Sequence, residues 1–308
     1  MRIGIIGMGW VGASVAISTL HRGFARELWV ADVAPGLAKA EALDLAHGSS
    51  FYHPCSVREA SVEAIARDCD AVVIAAGRGA MPGRSRLDAL SATASIAKEL
   101  GQSLRGARGV VVVVTNPVDV MTQLIQVASQ LPPERVLGTG TMLDTARLRH
   151  ALAARLRIDQ RSIHAQVLGE HGDSQVAVFS SARVGGLPLR SMPGWQLAEE
   201  PAIAESVRRA AYEIIAGKGA TNHAIGLVTA DLLQCIVRDE RRVLTVARLH
   251  ADGAAAAMLA GPVALSLPTI VGRHGGGEVL LPELDDGERR GLVRSAAVLR
   301  EAGREYLG

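Results

Sequence analysis

Short, unbroken apolar runs punctuate the first half of the chain. Arg2–Ile6, Glu27–Ala31, Ala71–Ala75 and Val110–Thr115 are rich in Val and Ile without polar alternation, and Val136–Gly138 has the same character. Runs of this kind predict strands buried on both faces, as in a parallel sheet. Between them lie Ala- and Leu-rich segments, such as Ala13–His21 and Leu37–Leu45, that suit crossover helices. Repeated strand–helix units predict an α/β fold, a doubly wound parallel sheet with helices on both faces.

Near residue 145 the pattern changes. A helix over Thr145–Leu156 carries Leu148, Leu152 and Leu156 on one face,. Alternating strands follow, Gln175–Ser180 among them, then helices near 196–217, 221–237 and 285–306. The expected organisation is two units, 1–145 and 146–308, the second of α+β type. No repeat or low-complexity linker separates them, so the halves should pack closely.

Composition narrows the class without naming it. A chain of 308 residues that is 48% hydrophobic can build a sizeable core,. Its 33 basic and 31 acidic residues are interspersed, which argues against a clustered basic face for nucleic acid,. Cys55, Cys69 and Cys235 are scattered, so reduced thiols are expected rather than disulfides or a zinc site,. Ile3–Ile17 is apolar but holds four glycines, which reads as a first strand and turn rather than a signal segment,. No apolar run is long enough for a membrane span. The expectation is a soluble, cytoplasmic protein that needs no metal.

Candidate chemistry begins directly after the first strand, at Gly7-Met8-Gly9-Trp10-Val11-Gly12. Alone, a GxGxxG is weak evidence, but here it opens the first helix and is followed at the end of the second strand by Asp32. Gly7 suits the tight turn, Gly9 the approach of a pyrophosphate, and Gly12 close helix packing. The helix N-terminus offers free N–H groups and a positive dipole to phosphates. Asp32 can accept from both ribose hydroxyls and would repel a 2′-phosphate. A Rossmann site for NAD rather than NADP is expected.

Five further segments carry chemistry-bearing residues. Gly169-Glu170-His171-Gly172-Asp173-Ser174 places a histidine between glycines, an arrangement that alone is more often structural than catalytic. In Leu143-Asp144-Thr145-Ala146-Arg147, the i, i+3 spacing puts Asp144 and Arg147 on one helix face,. Thr115-Asn116-Pro117-Val118-Asp119 ends a buried strand, where open α/β sheets bind ligands,. The loop Gly77–Leu87, with Arg84 and Arg86, suits a lid, and Ala220–Gly226 suits a helix start.

In this order and combination, the segments resemble the L-lactate/malate dehydrogenase family, and its bacterial L-lactate dehydrogenases in particular. GMGWVG, ALDLAHGSSF, PGRSRLD, TNPVD, GTGTMLDTARLR, HAQVLGEHGDS, ATNHAIG, RRVL and LSLPTIVGR carry the resemblance from residue 7 to about 273. It implies that His171 is the acid/base, that Asp144 orients it, and that Arg86, delivered by the lid, polarises the substrate carbonyl. Arg147 would grip the substrate carboxylate, which a planar guanidinium does better than a lysine. Asn116 would serve the reacting oxygen and the nicotinamide, Ile225 would pack on the nicotinamide, and Thr221 would sit beside the substrate side chain. Gly7, Gly9, Val11, Gly12, Asp32 and Gly77 would line the rest of the cofactor site.

Relatives assemble as dimers or tetramers, so a homo-oligomer is expected. Arg149 and His164 match positions that bind fructose 1,6-bisphosphate across a subunit contact in bacterial relatives.

The chain departs from its family where the substrate side chain is chosen. Six residues before Arg86, lactate enzymes carry Gln and malate enzymes Arg; this chain has Ala80. Either Ala80 makes room for a bulkier 2-oxo acid, or Arg84 supplies a charge for a dicarboxylate, while Thr221 favours a small neutral side chain. L-Lactate is the expected substrate, with malate or a bulkier 2-hydroxy acid as alternatives. An NAD(H)-binding sensor without catalysis is the non-enzyme alternative, and the complete catalytic set speaks against it.

Overall fold

The computed structural model describes residues 1–77 and 86–307, the side chains of 86–90 excepted. Six parallel strands form the first part of the molecule: β1 (Arg2–Ile6), β2 (Glu27–Ala31), β3 (Ser56–Glu59), β4 (Ala71–Ile74), β5 (Val110–Val113) and β6 (Val136–Gly138). Helices α1 (Trp10–Arg22), α2 (Leu37–His47), α3 (Val62–Asp68), α4 (Arg86–Ser103) and α5 (Val118–Ser129) connect them. The spatial order 3-2-1-4-5-6 reverses direction between β1 and β4. At such a switch point, crossovers leave toward opposite faces and open a crevice at the carboxyl ends of the strands.

Every residue of β4 and β5 is buried, as the unbroken Val and Ile runs predicted. Both strands end earlier than predicted, β4 at Ile74 rather than Ala75 and β5 at Val113 rather than Thr115. Strand β3 was not anticipated. Its Ser-Val-Arg-Glu is an edge strand with mostly exposed side chains, so no hydrophobic run marks it,.

The second half opens with α6 (Met142–Leu156), starting three residues before the predicted Thr145. Leu148 and Leu152 are fully buried against Ile163, Ala165 and Val167 of β7 (Ile163–Leu168). Strand β7 joins β8 (Val176–Val184) and β9 (Leu187–Pro188) in a small antiparallel sheet. Two helices, α7 (Glu200–Lys218) and α8 (His223–Arg238), follow.

The remaining strands, β10 (Arg242–His250), β11 (Val263–Gly272) and β12 (Gly275–Val279), extend the parallel sheet rather than the small one. They run antiparallel, and β10 meets β6 where Ala247 pairs with Gly138. The short α9 (Gly253–Met258) links β10 to β11, and α10 (Asp286–Leu307) closes the chain. Helix α10 packs on α5, β8 and β11, so it bridges both sheets.

Candidate active site

The cofactor end is a turn dictated by sterics. Gly7 has φ +98°, a conformation that strains any side chain, and its N–H donates to Ala31 O at 2.8 Å,. A Cβ on Gly12 would lie 1.8 Å from Gly7 O, so α1 can approach the turn only without a side chain there. Gly9 differs: a Cβ on it would meet no protein atom within 4 Å. Packing does not require that glycine, whereas a phosphate lying on the main chain would. No side chain caps the first turn of α1. The free N–H groups and helix dipole therefore face the space over Gly9.

Asp32 directly follows β2 and shapes the turn as well as bordering it. Its Oδ2 accepts from Met8 N–H at 2.6 Å and its Oδ1 from Ala34 N–H at 2.8 Å. Val11 is partly buried on the sheet side of α1. Gly77 follows β4, and a Cβ there would come within 2.6 Å of Thr115 Cγ2. Thr115 ties the two strand ends together, its hydroxyl donating to Ala76 O at 2.7 Å. These groups fit the adenosine, pyrophosphate and nicotinamide parts of NAD.

Asn116 is exposed at the end of β5, before a cis bond to Pro117, and three residues later Asp119 lies in the first turn of α5. Asp119 Oδ2 accepts the main-chain N–H of His171 at 2.8 Å. This bond brings the second half's catalytic candidate to the carboxyl edge of the parallel sheet. From the other side, Asn222 donates to Ser14 Oγ at 2.9 Å. Helix α8 is thereby seated on α1, with Ile225 in its first turn and Thr221 just before it.

His171 and Asp144 face each other across the crevice wall, Nδ1 to Oδ2 at 2.5 Å. The other carboxylate oxygen accepts from Arg147 Nη1 at 2.7 Å. The i, i+3 pair is thus not a solvated surface bridge: the Asp144 side chain is 3% and that of Arg147 14% exposed. Burial alone raises the pKa of Asp144, but His171 and Arg147 together outweigh it and hold the carboxyl below its usual range,. For His171, burial works against the imidazolium, and Asp144 overcomes that through its charge and hydrogen bond, with Asp119 adding to it. The net effect raises the histidine above its ordinary value. With Nδ1 engaged, proton exchange with a substrate falls to Nε2. Asp144 takes one of Arg147's five N–H donors, leaving others for a carboxylate,.

Arg86 is the first residue of α4. Its side chain lies outside the described residues, as do Arg78, Gly79, Ala80 and Arg84. Arg149 donates from Nε to Ala165 O at 3.0 Å and is partly buried, while His164, the residue before Ala165, is exposed opposite Arg183 in the β7–β8 register. Arg149 thus reaches the β7 main chain at the residue next to His164.

Three contributors escaped the sequence reading. Asp119 and Ser266 stood within quoted segments without a role, and Ser295, which also holds the catalytic loop, carried no motif of its own. Only the fold brings them to residues 169–171.

A glycine turn that leaves room for a pyrophosphate, joined to a histidine–carboxylate–arginine chain, defines an NAD-dependent dehydrogenase acting on a small carboxylic acid. The family models agree: the lactate/malate dehydrogenase NAD-binding domain matches residues 1–138, and the family's α/β C-terminal domain matches 141–306. The chain belongs to the lactate/malate dehydrogenase family and is an NAD-dependent 2-hydroxy acid dehydrogenase.

Among its relatives, the L-lactate dehydrogenase of Thermus aquaticus is 43% identical, covering 98% of each chain. That of Kosmotoga olearia is 39% identical over 98% of this chain and 95% of its own. The crystal structure of a minor L-lactate dehydrogenase from Enterococcus mundtii superposes with a TM-score of 0.92 at 34% identity, covering 99% of this chain and 98% of that one.

Proposed function

We propose that this chain is an L-lactate dehydrogenase, reducing pyruvate to L-lactate and catalysing the reverse. The observation that carries the reading is the buried Arg147–Asp144–His171 chain at the carboxyl edge of the sheet. NAD, when bound, supplies the hydride donor and acceptor at nicotinamide C4. In reduction, the imidazolium of His171 delivers its Nε2 proton to the C2 oxygen. Asp144 fixes the ring and stabilises its charge, as a carboxylate beside a catalytic imidazole does. Arg147 grips the substrate carboxylate, and Arg86 stabilises negative charge growing on the carbonyl oxygen. Asn116 orients that oxygen and the nicotinamide, while Ile225 and Thr221 bound the site. In this reading residues 1–145 form the NAD-binding domain and 146–308 the substrate domain, with the site shared between them.

The test is NADH consumption with pyruvate, oxaloacetate, 2-oxoisocaproate and phenylpyruvate. Preference for pyruvate supports the lactate reading, whereas preference for a bulkier acid or for oxaloacetate reassigns the role of Ala80 or Arg84. The chain acts as a homo-oligomer in this reading, which sedimentation checks. Two basic residues in register on β7–β8, His164 and Arg183, with Arg149 bonded to the neighbouring main chain, support a bisphosphate effector site in this reading. Unchanged substrate affinity on adding fructose 1,6-bisphosphate would remove that assignment. Among the described residues no helix is long and apolar enough to cross a membrane.

A further inference from the structure

Three consecutive main-chain amides lead into His171, and a different element holds each. Gly169 N–H donates to Ser266 O on β11 at 2.9 Å. Glu170 N–H donates to Ser295 Oγ on α10 at 2.8 Å, and His171 N–H to Asp119 Oδ2 on α5 at 2.8 Å. The first two acceptors are neutral. The third belongs to a carboxyl group that is 2% exposed and whose Oδ1 has no hydrogen-bond partner among the described residues.

Holding one amide does not require a charge, since Ser295 does the same one residue earlier without one. Burying a carboxylate with an oxygen unpaired costs more than burying a neutral acceptor. An anchor alone therefore does not account for aspartate at this position.

We propose that Asp119 is a positioning residue for proton transfer, fixing the main chain of His171 while placing a second carboxylate, beside Asp144, in the electrostatic surroundings of its ring. This rests on His171 being the acid/base. The charged groups acting on Asp119 are His171, Glu170 and Asp144. Burial, backed by Glu170 and Asp144, outweighs the pull of the His171 N–H and ring, so the carboxyl is raised to about 7. The ring in turn is supported by Asp144 and Asp119 and opposed by Arg147. Each of the two groups favours the other's charged form, so their ionisations are coupled. The arrangement suits an enzyme that must keep His171 protonated to reduce a 2-oxo acid.

The test compares pH profiles of kcat/KM in both directions for the wild type and Asp119→Asn, using whichever 2-oxo acid the wild type consumes and its 2-hydroxy product. The amide keeps an acceptor for His171 N–H and removes the charge. The alkaline limb of reduction should move to lower pH by about half to one unit, and the acid limb of oxidation should move the same way. Reduction at pH 8, where Asp119 is charged, then falls by roughly threefold to tenfold.

A purely structural role would lower both directions without moving either limb. Limbs displaced by less than about 0.2 unit would overturn the proposal. Should Asp119→Asn fail to fold, Asp119→Ser removes the same charge and is read by the same criteria. His171→Gln is run in parallel. If it retains wild-type rates, the acid/base reading fails; if only the Asp119 limbs stay put, only this inference does.

Discussion

Two glycine-marked loops meet at the crevice, and they are built in opposite ways. The cofactor loop, Gly7–Gly12, is closed by its neighbours. Its defining contacts are Gly12 against Gly7 O and Met8 N–H to Asp32, the latter spanning 24 residues. The catalytic loop, Gly169–Ser174, is held from elsewhere. Asp119, Asp144, Ser266 and Ser295 each reach it from a separate element, Ser295 from 125 residues away. One loop is a backbone shape that a short motif can specify; the other is a convergence of side chains that only a finished fold supplies.

The largest effect that separates the loops is chemical. His171→Gln should lower kcat about 10³-fold in both directions, within the range for removing a general acid/base, and Asp144→Asn should follow closely. NADH affinity, read by fluorescence titration, should change less than about twofold, since neither residue lies in the cofactor loop. A large loss of NADH binding in either variant would mean the two loops are one energetic unit.

Next come the glycines. Gly12→Ala drives a Cβ into Gly7 O and should cost about 3 kcal/mol in chemical denaturation,. Gly9→Ala meets no protein atom, so stability should change by less than about 0.5 kcal/mol while NADH affinity drops about tenfold,. Equal stability losses would remove the distinction between a glycine kept for packing and one kept for ligand approach.

Acid should loosen both loops together through β10, the strand joining the halves of the sheet. His250 lies on it, 2% exposed, with Nε2 against Leu265 O at 3.2 Å, and burial pushes its pKa from 6.5 down to about 4. A depressed histidine stabilises the fold above its unfolded pKa, and that stability is lost as pH falls from about 6.5 toward 4. The loss reaches about 3 kcal/mol. Thermal melting between pH 7 and 4.5 should show this, and His250→Leu should flatten that part of the curve.

The smallest effect belongs to the distant anchor. Ser295→Ala leaves Glu170 N–H without its acceptor and should cost about 1–2 kcal/mol, with kcat reduced several-fold and NADH affinity unchanged,. Thermal melting and steady-state kinetics check it. An unchanged kcat would show that the catalytic loop keeps its geometry without α10.

Much of this was legible in the sequence. Unbroken Val and Ile runs predict buried parallel strands because only a strand covered on both faces tolerates them, and β1, β2 and β6 follow their predicted bounds. The leucines at 148 and 152 announced the buried face of α6. The Gly7–Asp32 pattern was readable because sterics at a tight turn are local. Edge strand β3 was not, since its solvated Ser-Val-Arg-Glu leaves no periodic signal.

What the chain order alone determined is therefore the fold class, the cofactor turn and the residue types of the reaction: a histidine, a carboxylate and an arginine. The tertiary structure decided which of these meet. Spacing alone put Asp144 and Arg147 on one helix face, and only the fold shows them buried against His171, while Asp119 had no role until its carboxyl was found beneath the His171 amide. The physical reason is range: backbone sterics and periodicity act within a few turns of chain, whereas burial and charge coupling depend on groups that folding alone brings within hydrogen-bond distance.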